Sequence, residues 1–362
     1  MASTLRLPPL PSVADILKLY RLRARQQLAQ NFLLDERLTN KIVKQIGRLK
    51  DSCVVEVGPG PGCLTRSIMK KFPQKLIVVE KDKRFKSTLE MLAENFATIN
   101  GKMDIIYDDI MRVNLSEIFS DEYKTEWDER CPNIYIVGNL PFNVSTPLII
   151  QWLRAISEHS GLWSMGRVRM CLTFQKEVAE RLAAAPTTSQ RCRLSIMAQA
   201  FTKPQLRFII PGKVFIPKPN VDVGVVTFEP LRQFKTAHEF RLFEKITRHM
   251  FSSRQKYSIT CAKTLFPVDY KEELSMMMFK LADLDPKMRP MQFEVEDIDR
   301  LCTAYKYLVD KHPGIEEYDY RGSRQVMAKC HTKHIRISEV EDSENELIHN
   351  SALDTEIHQQ IS

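Results

Sequence analysis

Cys53-Val54-Val55-Glu56-Val57-Gly58-Pro59-Gly60-Pro61-Gly62 is a β-branched run that breaks into a glycine-rich turn, and a helical pattern follows at 64–71. The β-branched residues suit a buried strand. The glycines let a backbone approach a ligand closely, and the helix start offers free N–H groups. Outward from this stretch, short apolar runs at 76–79, 104–107, 134–137 and 169–174 alternate with helical patterns at 85–96, 147–156 and 177–184. Strand–helix alternation predicts parallel strands with helices on both faces. Two further runs, 206–210 and 223–228, are joined by a Pro-rich connector without a helix, which predicts a final antiparallel pair. Residues 230–237 read as a linker, and 239–310 carry helical periodicity without clear strands. The expected division is an N-terminal presequence or amphipathic helix over 1–29, an α/β domain over 30–230, a small all-helical domain over 237–312 and an acidic disordered tail over 338–362.

The chain has 362 residues, 43% hydrophobic and 27% charged, which fits a globular protein and excludes a mainly disordered chain, a collagen or a coiled-coil rod. No apolar run approaches the roughly 20 residues that span a bilayer, so no membrane partner is expected. The net charge of +8 understates the body. Residues 338–362 hold seven acids and no Lys or Arg, and the remaining 53 basic and 38 acidic residues give +15. So basic a body favours a polyanionic partner. Eight scattered cysteines, none in C-x-x-C spacing, point to a reducing compartment. Cys330-His331 with His334 lacks a fourth ligand at usual spacing, so no metal is expected. Residues 1–30 carry Arg6, Lys18, Arg21, Arg23 and Arg25 against Asp15 alone, a bias that fits a mitochondrial presequence. The same stretch reads as an amphipathic helix that Ser12 caps, with Asp15 three residues on.

The glycines follow G-x-G-x-G, with Cys63 where a dinucleotide fingerprint needs its last Gly. Glu80 ends the next strand, 22 residues after Gly58, where an acid accepts hydrogen bonds from ribose hydroxyls. Asp108-Asp109 end the third strand, suited to accept from an adenine amine. In this order the three features resemble the class I S-adenosylmethionine-dependent methyltransferases. The resemblance implies a Rossmann-like α/β sheet and S-adenosylmethionine as cofactor. A Rossmann oxidoreductase is the competing fold reading, and the missing sixth-position Gly speaks against it.

The fourth strand runs into Gly138-Asn139-Leu140-Pro141-Phe142. An adenine amino nitrogen is a poor nucleophile because its lone pair is delocalised into the ring. Two acceptors on its N–H groups pull it toward tetrahedral geometry. The Asn139 side-chain carbonyl and a backbone carbonyl at Leu140 or Pro141 can supply them. Pro141 fixes the turn, and Phe142 can stack on a base held out of its helix. Attack on a positively charged sulfonium needs no metal, so catalysis here is positioning plus electrostatics. Further on, 214–222 forms a Pro-stiffened loop in which Phe215 either covers the second face of the base or sits in the core.

Gln30-Asn31-Phe32-Leu33-Leu34-Asp35, Glu56 to Gly62, Val79-Glu80-Lys81-Asp82, Gly138 to Asn143, and Phe215-x-Pro217-x-Pro219-x-Val221-Asp222 occur in this order. Together they resemble the rRNA adenine dimethyltransferase family over about residues 25–306, and other stretches look most like its mitochondrial members. The resemblance implies dimethylation of two adjacent adenines in the 3′-terminal hairpin of mitochondrial small-subunit rRNA, in the matrix, by a monomer acting within a pre-ribosomal particle. It implies that Gln30 and Leu33 line the cofactor pocket. Gly58, Gly60, Glu80, Lys81, Asp109, Ile110 and Asn139 would contact S-adenosylmethionine. Asn139, Leu140, Pro141 and Phe142 would hold the target, with Phe215 as second stacker. Phe142 stands where many relatives carry Tyr, which loses only a hydroxyl. Arg254-Gln255-Lys256 stands where relatives often show Arg-Arg-Lys, which leaves Arg254 and Lys256 as RNA-phosphate contacts. A paralogue's role as a transcription initiation factor, binding DNA and the mitochondrial RNA polymerase without catalysis, is the alternative.

Overall fold

The computed structural model describes residues 7–19, 30–318 and 320. The acidic tail and the Cys330–His334 stretch lie outside the described residues. The strands are β1 (Phe32–Leu33), β2 (Cys53–Val57), β3 (Lys75–Val79), β4 (Lys102–Ile106), β5 (Ile134–Gly138), β6 (Arg169–Gln175), β7 (Thr202–Ile210), β8 (Phe215–Ile216) and β9 (Val223–Pro230). Seven of them form one sheet in the order β4-β3-β2-β5-β6-β9-β7. The first five in that order pair in parallel, and β9 pairs antiparallel with both β6 and β7. Alternation along each strand fills two separate layers. Val55, Val57, Ile77, Val79 and Ile136 belong to one buried cluster. Val54, Leu76, Val78, Tyr135 and Val137 belong to the other.

The helices are α1 (Val13–Leu19), α2 (Glu36–Lys44), α3 (Cys63–Met69), α4 (Lys86–Ala97), α5 (Phe142–Ser157), α6 (Lys176–Leu182), α7 (Arg193–Phe201), α8 (Phe240–Met250), α9 (Ser258–Ala262), α10 (Lys271–Leu281) and α11 (Val295–Lys311). From β2 the chain winds outward through β3 and β4, then returns to β5 on the other side of β2. Strand order reverses between β2 and β5, and ligands bind at the carboxyl ends of strands at such a point. Two elements differ from the sequence expectation. Helix α5 begins at Phe142 rather than Pro147, and Pro147 lies inside it, where its missing N–H removes one intrahelical bond without ending the helix. Helix α7, unmarked in the sequence reading, buries Ile196, Met197, Ala198, Ala200 and Phe201, so its apolar pattern runs nearly all round.

Residues 7–19 pack on the body: Ile16 is buried, and the Pro11 carbonyl accepts from the Arg66 guanidinium at 2.8 Å. The stretch expected as a linker is tied down at three points. Leu231 and Lys235 donate N–H groups to the carbonyls of Phe201 and Ala200, and the Thr236 hydroxyl donates to Asp299 at 2.6 Å. Helix α8 turns Phe240, Phe243, Ile246 and Met250 into the cluster that already covers one sheet face, so the helical unit shares that core. Arg191, 1% exposed, bridges the two units. Its guanidinium donates to the Phe293 carbonyl at 3.0 and 3.2 Å, to the Ala184 carbonyl at 2.8 Å and to the Gln199 side chain at 2.5 Å. Arg191→Met leaves the Phe293 carbonyl unpaired in the interior. It is expected to lower the unfolding free energy by about 2 kcal/mol in urea titration; an unshifted midpoint would remove Arg191 as the bridge.

Candidate active site

Parallel pairing sets Val57 beside Gly138, so the turn after β2 and the turn after β5 leave the sheet side by side. The cavity between them is lined by Gly58 and Gly60 from the first turn and by Asn139, Leu140, Pro141 and Phe142 from the second. Glu80 and Lys81 after β3, and Asp109 and Ile110 after β4, complete one wall. Gln30 and Leu33 from the N-terminal segment and Phe215 from β8 complete the other. Thirteen residues singled out in the sequence are thus brought together. Arg254 and Lys256 are not among the lining residues. They sit on the loop before α9, where Arg254 already donates to the Ser189 carbonyl and Lys256 is exposed.

The glycine turn has local causes. Gly62 has φ +83°, and a Cβ there would lie 2.3 Å from Leu92 Cδ1, so neither the backbone nor the space admits a side chain. Gly60 donates its N–H to Glu80 Oε2 at 2.9 Å, and Asp82 donates its N–H to Oε1 at 2.7 Å. Glu80 is only 5% exposed, and burial pushes its pKa up against those two hydrogen bonds. Each carboxylate oxygen keeps lone-pair capacity toward the cavity. Asp82, which the sequence reading did not single out, accepts from the Gln30 amide at 3.1 Å and from Arg84. Lys81 pairs with Asp109 at 2.8 Å and holds its pKa below the usual carboxylate value. The other Asp109 oxygen accepts the Met111 N–H at 3.1 Å.

At the second turn Pro141 is the N-cap of α5, and its carbonyl accepts the N–H groups of Val144 and Ser145. Those bonds engage the Pro141 oxygen inside the helix start. The Leu140 side chain itself is buried in the core. Asn139 Nδ2 donates to the Asn31 carbonyl at 3.0 Å, and its Oδ1 accepts from the Thr173 hydroxyl at 2.9 Å. Phe142 is half-buried at the cavity. Phe215 is 2% exposed and paired with Leu33, so it is both core and wall. The short β1–β8 ladder that joins them was invisible in the sequence, because two-residue strands carry no periodicity. A lone hydroxyl in the apolar run 169–174 was the only available sign of Thr173.

Behind the glycine turn Glu56 is 1% exposed, and among the described residues neither carboxylate oxygen has a partner in good hydrogen-bond geometry. Burial pushes its pKa up to about 8, reinforced by Glu80 and opposed by the nearby Thr65. The folded chain therefore holds a proton that the unfolded chain releases near 4.5. The stabilisation is complete below that value and is lost as pH rises towards about 8. Glu56→Gln should abolish this loss, so that its stability gains on wild type by up to about 1.4 kcal/mol per pH unit across that window. Parallel Tm curves for the two proteins would show that Glu56 does not hold the proton.

Comparison with known proteins adds to this geometry. The family model "Ribosomal RNA adenine dimethylase" matches residues 21–297. "Dimethyladenosine transferase 1, mitochondrial" of Drosophila pseudoobscura pseudoobscura is 47% identical over 323 residues, 89% of this chain and 94% of that protein. The protein of the same name from Homo sapiens is 47% identical over 319 residues, 88% of this chain and 91% of that one. Among solved structures, a dimethyladenosine transferase from Plasmodium falciparum has a TM-score of 0.58 at 21% identity, covering 75% of this chain and 96% of that one. The 23S rRNA methyltransferase ErmE has a TM-score of 0.52 at 16% identity, covering 76% and 100%. These two structures show the fold, a class I methyltransferase sheet. With a family model spanning most of its length and relatives at nearly half identity, this chain belongs to the ribosomal RNA adenine dimethylase family.

Proposed function

We propose that this rRNA adenine dimethyltransferase uses S-adenosylmethionine to dimethylate two adjacent adenines in the 3′-terminal hairpin of mitochondrial small-subunit rRNA, within an assembling ribosomal particle in the matrix. The observation that carries the reading is the meeting of Glu80 and Asn139 in one cavity beside the glycine turn. The residues present fit the cofactor. Glu80 is a nearly buried carboxylate with acceptor capacity left for a ribose diol, and the Gly60 N–H it holds keeps the turn open beside it. When bound, S-adenosylmethionine supplies a methyl group on a positively charged sulfur.

The chain's own residues orient the acceptor. Asn139 Oδ1 and the Leu140 carbonyl accept the two N–H groups of the adenine amine and draw its lone pair out of the ring. Phe142 stacks on the base and offsets part of the cost of taking it out of its helix. The nitrogen so held by Asn139 and Leu140 would take the methyl group that the cofactor supplies, and one N–H proton would leave to solvent. The basic body favours an RNA partner, with Arg254 and Lys256 proposed as phosphate contacts. The mitochondrial location rests on the relatives' names and on the Arg-rich N-terminus. A transit signal that includes residues 7–19 would include residues that pack on the body.

Tritium transfer from labelled S-adenosylmethionine to the hairpin RNA tests the reading. Asn139→Ala is expected to cut the rate by about 100-fold. Equal counts from both proteins would remove Asn139 from catalysis, and no counts from wild type would favour a non-catalytic nucleic-acid-binding factor. Lys256→Ala is expected to weaken RNA binding and to lower the slope of log affinity against log salt by about 1. An unchanged slope would place the RNA path elsewhere.

A further inference from the structure

The geometry points to Thr173 as a positioning residue for methyl transfer, one that holds the Asn139 carbonyl in its acceptor pose; the inference rests on the reading above. Thr173 lies on β6 with no exposed surface, between the buried apolar residues Leu172 and Phe174. A hydroxyl there is costly unless it is hydrogen-bonded, and Val would fill nearly the same volume without that demand. Its partner is a side chain of the cavity: the hydroxyl donates to Asn139 Oδ1 at 2.9 Å.

The other end of the same amide donates from Nδ2 to the Asn31 carbonyl at 3.0 Å. A backbone carbonyl only accepts, so turning the amide over would set two oxygens against each other. Chemistry thus fixes which end faces which partner. The Asn31 contact restrains the nitrogen, and the Thr173 contact restrains the oxygen. Held at both ends, the amide cannot swing about its last torsion. Oδ1 has two lone pairs; one takes the Thr173 hydroxyl, and the second is left for a donor in the cavity that Asn139 lines. Without the hydroxyl the amide keeps only its Asn31 restraint, Oδ1 swings more widely, and the target amine must complete its ordering during each turnover.

The test measures turnover and KM for S-adenosylmethionine with the hairpin RNA in wild type, Thr173→Val, Thr173→Ala and Thr173→Ser. The two variants without a hydroxyl are expected to lose about three- to tenfold in kcat with KM for the cofactor unchanged, and Thr173→Ser is expected to restore kcat. Serine and alanine both drop the methyl group, so a purely structural role would impair them alike. Thr173→Val turning over as wild type does, or Thr173→Ser falling with Thr173→Ala, overturns the inference while Asn139→Ala still reports on the enzyme. A wild type that transfers no methyl group overturns the functional reading and this inference with it.

Discussion

The ladder between β2 and β5 sets Val57 opposite Gly138, and the cavity exists only in that register. Both strands end there, so a glycine-rich turn and an Asn-Leu-Pro turn diverge from adjacent points. A one-residue slip would exchange the faces on which all side chains of β5 lie. Ile136 and Val137, now buried on opposite sides, would each enter the wrong layer. The hydrophobic layers that stabilise the sheet therefore also fix the spacing between the two turns that line the cavity.

The N-terminal segment closes the arrangement. Asn31 accepts from Asn139, the Phe32 ring lies where a Cβ on Gly60 would come within 3.3 Å of it, and Leu33 pairs with Phe215. Three consecutive residues thus touch three parts of the cavity that are far apart in the chain. The contacts act as a strap across the mouth of the sheet, and they make the amide of Asn139 and the wall at Phe215 answer to the same few residues.

Burial acts on two carboxyl groups at this edge of the sheet. Glu56 and Glu80 are both nearly inaccessible and both pushed above the ordinary carboxylate value. Glu80 has two backbone N–H donors to favour its ionised form, whereas among the described residues Glu56 has no partner in good hydrogen-bond geometry. With its pKa near 8, Glu56 stays mostly protonated at neutral pH and does not repel its neighbour. Glu56, on β2, is then a neutral group behind the glycines, while Glu80, after β3, lines the cavity.

The sequence alone determined the parallel sheet and its antiparallel end, because alternation, glycine turns and strand-end acids are local signals that topology brings to one edge. Of the thirteen residues that meet in the cavity, Gln30, Leu33, Lys81 and Ile110 were legible only through the family resemblance. The start of α5 was misread, since Pro147 reads as a helix beginning when only its neighbours are known. Tertiary structure decided the rest. That the Pro141 carbonyl is already engaged depended on the α5 N–H groups of Val144 and Ser145. The bonds that orient Asn139 come from residues 108 and 34 positions away, Asn31 and Thr173. No local pattern encodes such pairs, because a hydrogen bond between distant side chains depends on where the folded backbone sets them, and that is fixed only when both layers pack.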